Sequence, residues 1–263
     1  TQIRDGLFDI SSSYSSIERE YIVAPALTDV YPLFTNFVAQ QEWADESLVP
    51  FLWQWHAEVY IISSIAHGKP LNSFSNNMWF EYTNLYWPKI LRTQVDLTKP
   101  LHILEIGSHE GGSATFFQKY MLHHPDSSLT CVDPWVLKTP GKAHDYFQNI
   151  FHQNICTHPN FMKTTVIKGD SLSVMTDFMN LGKAYDIIYI DGGHHMAEVM
   201  GDLVLGFRLL KAGGIMIMDD YNSNLEGIPS ERPHEAIDLF LTAFEHELEI
   251  LHSGYQVFVK KAL

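Results

Sequence analysis

The sequence predicts an α/β fold in which a mostly parallel sheet is covered by helices on both faces. From residue 101 onward, short apolar segments with the composition of strands alternate with longer segments of helical period. That alternation is typical of a parallel, doubly wound sheet. Two further strand-like segments around Ser253-Gly254 end the chain and predict an antiparallel hairpin.

Seven strands and five helices account for residues 101–260. The strands are predicted at 101–106, 128–132, 164–168, 186–190, 215–218, 248–252 and 255–260. The helices are predicted at 113–123, from about 141 to 156, and at 172–181, 195–210 and 234–247. Gly213 and Gly214 are expected to end the fourth of these helices, since glycine commonly follows a helix C-terminus.

The first 76 residues have a different character. They are rich in aromatic side chains, and Pro25, Pro32 and Pro50 interrupt any long helix there. Apolar residues recur at helical spacing between Phe51 and His67. We therefore predict a helical N-terminal extension over 1–76, which serves as a lid, and a ligand-binding α/β domain over 77–263.

Composition and charge narrow the class of partner. The 263 residues include 31 acidic and 17 basic side chains, for a net charge of −14. Such a surface repels phosphate backbones and anionic membranes, so we expect neither nucleic acid nor a membrane as a partner. A cytoplasmic protein with a small-molecule or glycan substrate is expected, and self-association is left open. Because the chain opens on Thr1, we also expect a piece of a longer polypeptide.

The two cysteines, Cys131 and Cys156, lie in neither a metal-binding nor a redox-type spacing. Both are predicted to be unpaired, buried, small apolar residues.

A glycine-rich turn follows the first strand. Gly107, Gly111 and Gly112 allow the backbone to turn tightly and to approach a ligand closely, at the start of a helix. Asp133 ends the second strand, where a carboxylate can accept hydrogen bonds from ribose hydroxyls. The spacing matches neither the nicotinamide-binding fingerprint nor a phosphate loop. Together the two features predict a ribonucleoside cofactor; a helix cap and an ordinary strand-end acid are the alternative.

Acidic residues also end the fourth and fifth strands. Asp191 follows one, and Asp219 and Asp220 follow the other, one crossover later. Adjacent strands lie about 4.8 Å apart, so these oxygens can converge on one divalent cation, with Mg²⁺ favoured over Mn²⁺ or Ca²⁺. Alternatively, Asp220 caps the next loop and Asp191 orients an amide. His194 faces the same cleft and is the candidate general base, unless it is only a cap residue.

These motifs resemble those of the class I S-adenosylmethionine-dependent methyltransferases over about residues 78–263. The resemblance implies a Rossmann-like fold with S-adenosyl-L-methionine as cofactor. It implies that Gly107 and Gly111 bracket the methionine part and that Asp133 holds the ribose. The other cofactor-binding positions that it implies are Glu105 on the first strand, Ser113 at the cofactor's carboxylate, Trp135 as a wall, and Asp170 with Ser171 beside the adenine.

The motif Asp191-x-x-His194, followed by Asp219-Asp220, resembles that of the metal-dependent small-molecule O-methyltransferases. Catechol methyltransferases carry Lys in place of His194 and typically Asp-Asn in place of Asp219-Asp220. The histidine version is more similar to the sugar O-methyltransferases of macrolide pathways. The resemblance therefore implies methylation of a sugar hydroxyl, with Asp191 and His194 as catalytic residues. A catechol or phenolic acceptor, a non-catalytic methyltransferase-like binding domain and a dehydrogenase are the alternatives.

Overall fold

A computed structural model describes residues 87–136, 143, 145–156, 159–222 and 231–263. The extension predicted over 1–76, its role as a lid and the domain boundary at residue 77 lie outside the described residues, so they stay predictions.

Helices and strands alternate along the described chain. Its elements are α1 (Trp87–Gln94), β1 (His102–Ile106), α2 (Gly112–Tyr120), β2 (Ser128–Asp133), α3 (Tyr146–Ile155), a 3-10 helix (Pro159–Lys163), β3 (Thr164–Lys168), α4 (Ser171–Asn180), β4 (Tyr185–Ile190), α5 (Met196–Leu209), β5 (Leu210–Met218), α6 (Pro233–Ala243), β6 (Leu248–Ser253) and β7 (Val257–Lys261).

The seven strands form one sheet in the order β3-β2-β1-β4-β5-β7-β6. The first five strands pair in parallel, whereas β7 runs antiparallel to both β5 and β6. The chain first builds outward from β1 to β3 and then returns to build from β4 on the other side. The predicted Rossmann-like, mostly parallel sheet with a C-terminal hairpin is confirmed, and ligands of such sheets bind at the strands' carboxyl ends beside this reversal.

Burial on both faces explains why the central strands read as unbroken apolar runs. In β4, residues 187–190 are all buried, two on each face. One core packs α5 and α6 against the sheet through Phe207 and Phe240, whose rings meet at 5.5 Å. The opposite core packs Trp87 and Phe117 against the sheet, with ring centroids 5.1 Å apart.

The structure corrects three predicted element boundaries by four or more residues, and one of them is the end of α6, which lies at Ala243 instead of residue 247. Strand β5 begins at Leu210 and runs through Gly213 and Gly214, which therefore do not cap the preceding helix. Leu210 is already extended and pairs with Tyr185 of β4, and the register shifts before Ile187. Helix α3 begins at Tyr146, five residues later than the predicted start.

Both cysteines are free, as predicted, but only Cys131 is buried. Cys156 is exposed because it follows the last residue of α3, where the chain has left the packed face of that helix. In the described ranges, no helix is both long and apolar enough to cross a membrane.

Candidate active site

The turn after β1, residues 107–111, is here called the glycine loop. Gly107 has a φ of +83°, and a Cβ there would lie 1.7 Å from the backbone oxygen of Asp191. Gly111 also has a positive φ, of +86°. Only glycine fits at position 107, because the loop after β1 is pressed against the loop after β4. The predicted cofactor turn and the predicted catalytic acid are therefore brought together.

Glu105 supports the glycine loop from inside the sheet. Its carboxylate is fully buried and accepts hydrogen bonds from the hydroxyls of Ser108, at 2.6 Å, and Ser113. Burial raises the pKa of Glu105 above its usual range. The Ser113 hydroxyl, expected at the cofactor's carboxylate, is directed to Glu105 in this structure.

Asp133 anchors the same loop from the end of β2. Its Oδ2 accepts the backbone N–H groups of Ser108 and His109, both at 2.9 Å, and its Oδ1 accepts that of Trp135 at 2.5 Å. The acid predicted to hold the ribose thus fixes the backbone on both sides of the cleft. Its ribose role stays a prediction.

The three remaining positions predicted at the cofactor have structural partners. Trp135 is buried, donates its Nε1–H to the His109 carbonyl at 2.8 Å and packs on Phe151. Asp170 caps α4 by accepting the backbone N–H of residue 173 at 2.9 Å. Ser171 donates to the buried carboxylate of Asp202 on α5 at 2.6 Å.

The predicted metal ligands Asp191, Asp219 and Asp220 are here called the acid cluster. Asp191 and Asp219 meet at the hydroxyl of Tyr189, which lies 2.8 Å from Asp191 Oδ2 and within hydrogen-bond distance of Asp219 Oδ2. Burial, and then the proximity of the other acids, raises the pKa of Asp191 well above its usual range and that of Asp219 to about 6.

Asp220 turns toward His194 instead. Its Oδ2 lies 2.9 Å from His194 Nε2, and its Oδ1 accepts the hydroxyl of Tyr255 at 2.7 Å. The hydrogen bond to Asp220 raises the pKa of His194 above its usual range. Burial alone would raise the pKa of Asp220, but the hydrogen bonds from His194 and Tyr255 lower it. The imidazole is partly exposed.

The carboxylate oxygens of the acid cluster are the kind of ligand that a hard cation prefers, but they are not grouped closely enough here to form a complete metal site. Tyr189 has one hydroxyl proton between two carboxylates, and Asp219 also accepts the Nε2–H of Gln256 and the backbone N–H of Asp220. The proximity of the two buried charges still favours an added proton or cation. Asp191 and Asp219 supply the oxygen ligands that Mg²⁺ prefers. Within the parts of the chain that the structure describes, no three His, Cys, Asp or Glu side chains form a group arranged to hold a metal ion. The predicted metal site therefore stays a prediction.

Sequence reasoning missed four residues of this region: Tyr189, Gln256, Tyr255 and Asp202. Tyr189 precedes Asp191 by two residues, and the strand period places both on one face, so that signal was present. Gln256 is buried beside Asp219, whose Oδ2 accepts its Nε2–H at 2.8 Å. Only the pairing of β7 with β5 reveals that contact.

A family profile described as a methyltransferase domain matches residues 104–221. An uncharacterized protein of Acanthamoeba polyphaga mimivirus is 27% identical over 121 residues, which are 46% of this chain and 52% of that protein. The chain thus matches about half the length of this curated relative.

Several solved structures share the fold at low sequence identity. A TDP-rhamnose 3'-O-methyltransferase of calicheamicin biosynthesis is 17% identical, with a TM-score of 0.50 over 89% of this chain and 93% of that chain. A mycinamycin-pathway methyltransferase in complex with Mg and S-adenosylhomocysteine is 16% identical, with a TM-score of 0.50 over 85% and 61%. The O-methyltransferase TomG of Streptomyces achromogenes, with bound S-adenosylmethionine, is 14% identical, with a TM-score of 0.53 over 88% and 96%.

The matched residues, 104–221, run from the first strand of the sheet through the glycine loop to the acid cluster. Residues 104–221 therefore match a methyltransferase-domain profile, and the described residues share the fold of the O-methyltransferase structures to which they are similar, which confirms the fold that the sequence predicts.

Proposed function

We propose that the chain is an S-adenosylmethionine-dependent O-methyltransferase that methylates a hydroxyl of a sugar or of a glycan-bearing small molecule. One observation carries this proposal: the His194–Asp220 pair lies at the edge of the sheet where the glycine loop touches the residue after β4. A candidate base for the acceptor and a glycine turn of the kind that binds nucleoside cofactors thereby lie at one edge of the sheet.

His194 is the proposed general base. When its Nε2–H is donated to Asp220, the lone pair of Nδ1 is available to take the proton of the acceptor hydroxyl. The carboxylate of Asp220 then stabilises the imidazolium that forms. S-adenosylmethionine, when bound, supplies an electrophilic methyl group on a sulfonium. The glycine loop, whose backbone takes positive φ angles at Gly107 and Gly111, would bind it at the start of α2.

A divalent cation, with Mg²⁺ favoured, is the second part of the proposal. Asp191 and Asp219 would hold it, with Asp220 as a third ligand. Bound there, it would supply Lewis acidity that lowers the pKa of the acceptor hydroxyl. The crowding of negative charge in the acid cluster supports this part, as does the Mg named for the mycinamycin-pathway methyltransferase.

His194 favours a sugar as the acceptor, because the catechol enzymes that the motif resembles carry Lys there. The TDP-rhamnose activity named for one structural neighbour supports the same class. A catechol or phenolic acceptor is the second candidate, favoured by the shared spacing of the acids. A binding domain without catalysis is the third.

The test measures S-adenosylhomocysteine release with a panel of nucleotide sugars, glycosides and catechols. Each acceptor is assayed with Mg²⁺, with a chelator and after Mg²⁺ is added back. We expect turnover with sugars that is lost in chelator and restored by the metal. Full activity in chelator would exclude the cation, turnover of catechols alone would exclude the sugar, and calorimetric binding of S-adenosylmethionine without any release would favour the binding domain.

A further inference from the structure

A chain of buried hydrogen bonds runs from α1 to the acid cluster. Trp87 donates its Nε1–H to Gln256 Oε1 at 2.6 Å, and Gln256 donates its Nε2–H to Asp219 Oδ2 at 2.8 Å. The same Nε2 lies 3.4 Å from the hydroxyl of Tyr189, which in turn lies 2.8 Å from Asp191 Oδ2. Trp87, Tyr189 and Gln256 are all buried.

Sheet register explains why Gln256 reaches the acid. Strand β7 pairs antiparallel with β5, and the last pair of the ladder is Met218 with Val257. One step further along both strands sets Asp219 opposite Gln256. The C-terminal hairpin thus brings an amide beside an acid on a strand that is distant in sequence.

Packing fixes the orientation of Tyr189. Its ring meets Trp87 edge to face at 4.8 Å and Phe117 at 6.5 Å, deep in the core. The hydroxyl therefore emerges at one defined point between the two carboxylates. Gln256 is held in the same way, because its oxygen is bound to Trp87.

We propose that Tyr189 and Gln256 are positioning residues that set the separation and direction of the Asp191 and Asp219 carboxylates. The proposal rests on the proposed function, since it is these oxygens that would hold the cation. Groups that orient the ligands of a metal typically change its affinity or the activity by about 10- to 100-fold when they are removed.

Two substitutions test this with matched controls. Tyr189→Phe removes one hydroxyl and keeps the ring, and Tyr185→Phe does the same at a buried site at the other end of β4. Gln256→Met removes one amide, and Gln118→Met removes a buried amide of α2 that is bonded to Thr164 at 2.9 Å. Thermal unfolding of all four variants establishes that each is folded.

Three readouts are compared with the wild type: the dissociation constant of Mn²⁺ from electron paramagnetic resonance, kcat and KM for the acceptor, and the carboxyl ¹³C shifts of labelled aspartate. For Tyr189→Phe and Gln256→Met we expect Mn²⁺ to bind about 10- to 100-fold more weakly and kcat to fall by a similar factor, with little change in KM. The shifts of Asp191 and Asp219 should move. The two control variants should show none of these changes.

Mn²⁺ affinity and kcat that match those of the controls would overturn the proposal. The carboxyl shifts need no cofactor, metal or acceptor. If the wild type binds no Mn²⁺ and transfers no methyl group, the proposed function fails, while moved shifts still support the positioning role and unmoved shifts overturn it.

Discussion

The glycine loop and the acid cluster touch at one edge of the sheet, but the buried carboxylates beside them differ in how far hydrogen-bond donors compensate their negative charge. The two carboxylates that anchor the glycine loop face donors: Asp133 accepts three backbone N–H groups, and Glu105 accepts two hydroxyls. In the acid cluster, Asp191 and Asp219 lie on either side of the single hydroxyl of Tyr189, and only Asp219 has the further donors Gln256 Nε2–H and the backbone N–H of Asp220.

This difference indicates which region favours an added proton or cation. A carboxylate that accepts backbone donors is already compensated and holds the chain in one shape. Two neighbouring buried carboxylates with one tyrosine hydroxyl between them favour an added proton or a cation. The backbone of the glycine loop is therefore fixed by its own hydrogen bonds, whereas the acid cluster is the region where an added proton or cation is favoured.

The largest expected effect comes from removing the base beside the acid cluster. His194→Ala should lower kcat by about 10²- to 10⁴-fold, because it removes the proposed general base. S-adenosylmethionine should bind with unchanged affinity, because the glycine loop is intact. Calorimetry and S-adenosylhomocysteine release measure the two effects.

His123→Ala, at an exposed position three residues past the end of α2, is the matched control and should leave both quantities unchanged. Asp191→Ala should follow His194→Ala in losing turnover and keeping cofactor affinity. If either active-site variant loses cofactor binding, the two regions are not separate in function.

The second-largest effect is expected from a substitution that disrupts the contact between the glycine loop and the acid cluster. Gly107→Ala places a Cβ 1.7 Å from the Asp191 carbonyl, so the backbone itself must move. We expect the free energy of unfolding to fall by more than about 3 kcal/mol, with weaker cofactor binding. Gly182→Ala is the control: its φ is +64°, but no atom lies within 4 Å of the added Cβ. It should cost only about 1–2 kcal/mol in urea unfolding.

Equal losses in the two variants would contradict this account. The penalty at Gly107 would then come from its backbone angle alone and not from contact between the loops.

The sequence predicts the sheet and its edge because period and composition are local signals. Strand ends at Ile106, Asp133 and Ile190 follow from apolar runs that stop at glycine or acid. The beginning of β5 could not be predicted in this way. Gly213 and Gly214 read as a helix end, and only pairing with β4 makes residues 210–214 part of a strand.

The residues of the candidate site also divide into those that local sequence signals predict and those that depend on strand pairing. The acids and His194 could be predicted, because each lies within four residues of a strand end. Gln256 and Tyr255 could not, because their contacts with Asp219 and Asp220 depend on the register of the hairpin against β5. The hydrogen bond from Ser113 to Glu105 could not be predicted either, because a serine hydroxyl donates to whichever acceptor the fold brings near it.

The smallest expected effect concerns Asp202, an acid near the same edge that belongs to neither region. It is buried on α5, accepts the Ser171 hydroxyl, and its Oδ2 would lie 3.0 Å from a Cβ on Gly192. Burial raises its pKa to about 6, so the folded chain holds a proton there that the unfolded chain releases near pH 4. Stability therefore falls as the pH rises from about 4 to 6, by up to about 3 kcal/mol at this site.

Asp202→Asn keeps an acceptor for Ser171 and removes the titration. We expect the variant to be more stable than the wild type above pH 7, by about 1–3 kcal/mol, and the advantage to vanish near pH 4. Urea unfolding of both proteins between about pH 4 and pH 7 measures the difference in their stability, and the titration of the other acids cancels because it is common to both. If Asp202→Asn is more stable than the wild type by the same amount at every pH, the charge of Asp202 is compensated by its neighbours, as that of Asp133 is. Uncompensated negative charge at this edge of the sheet would then be confined to the acids that face one another.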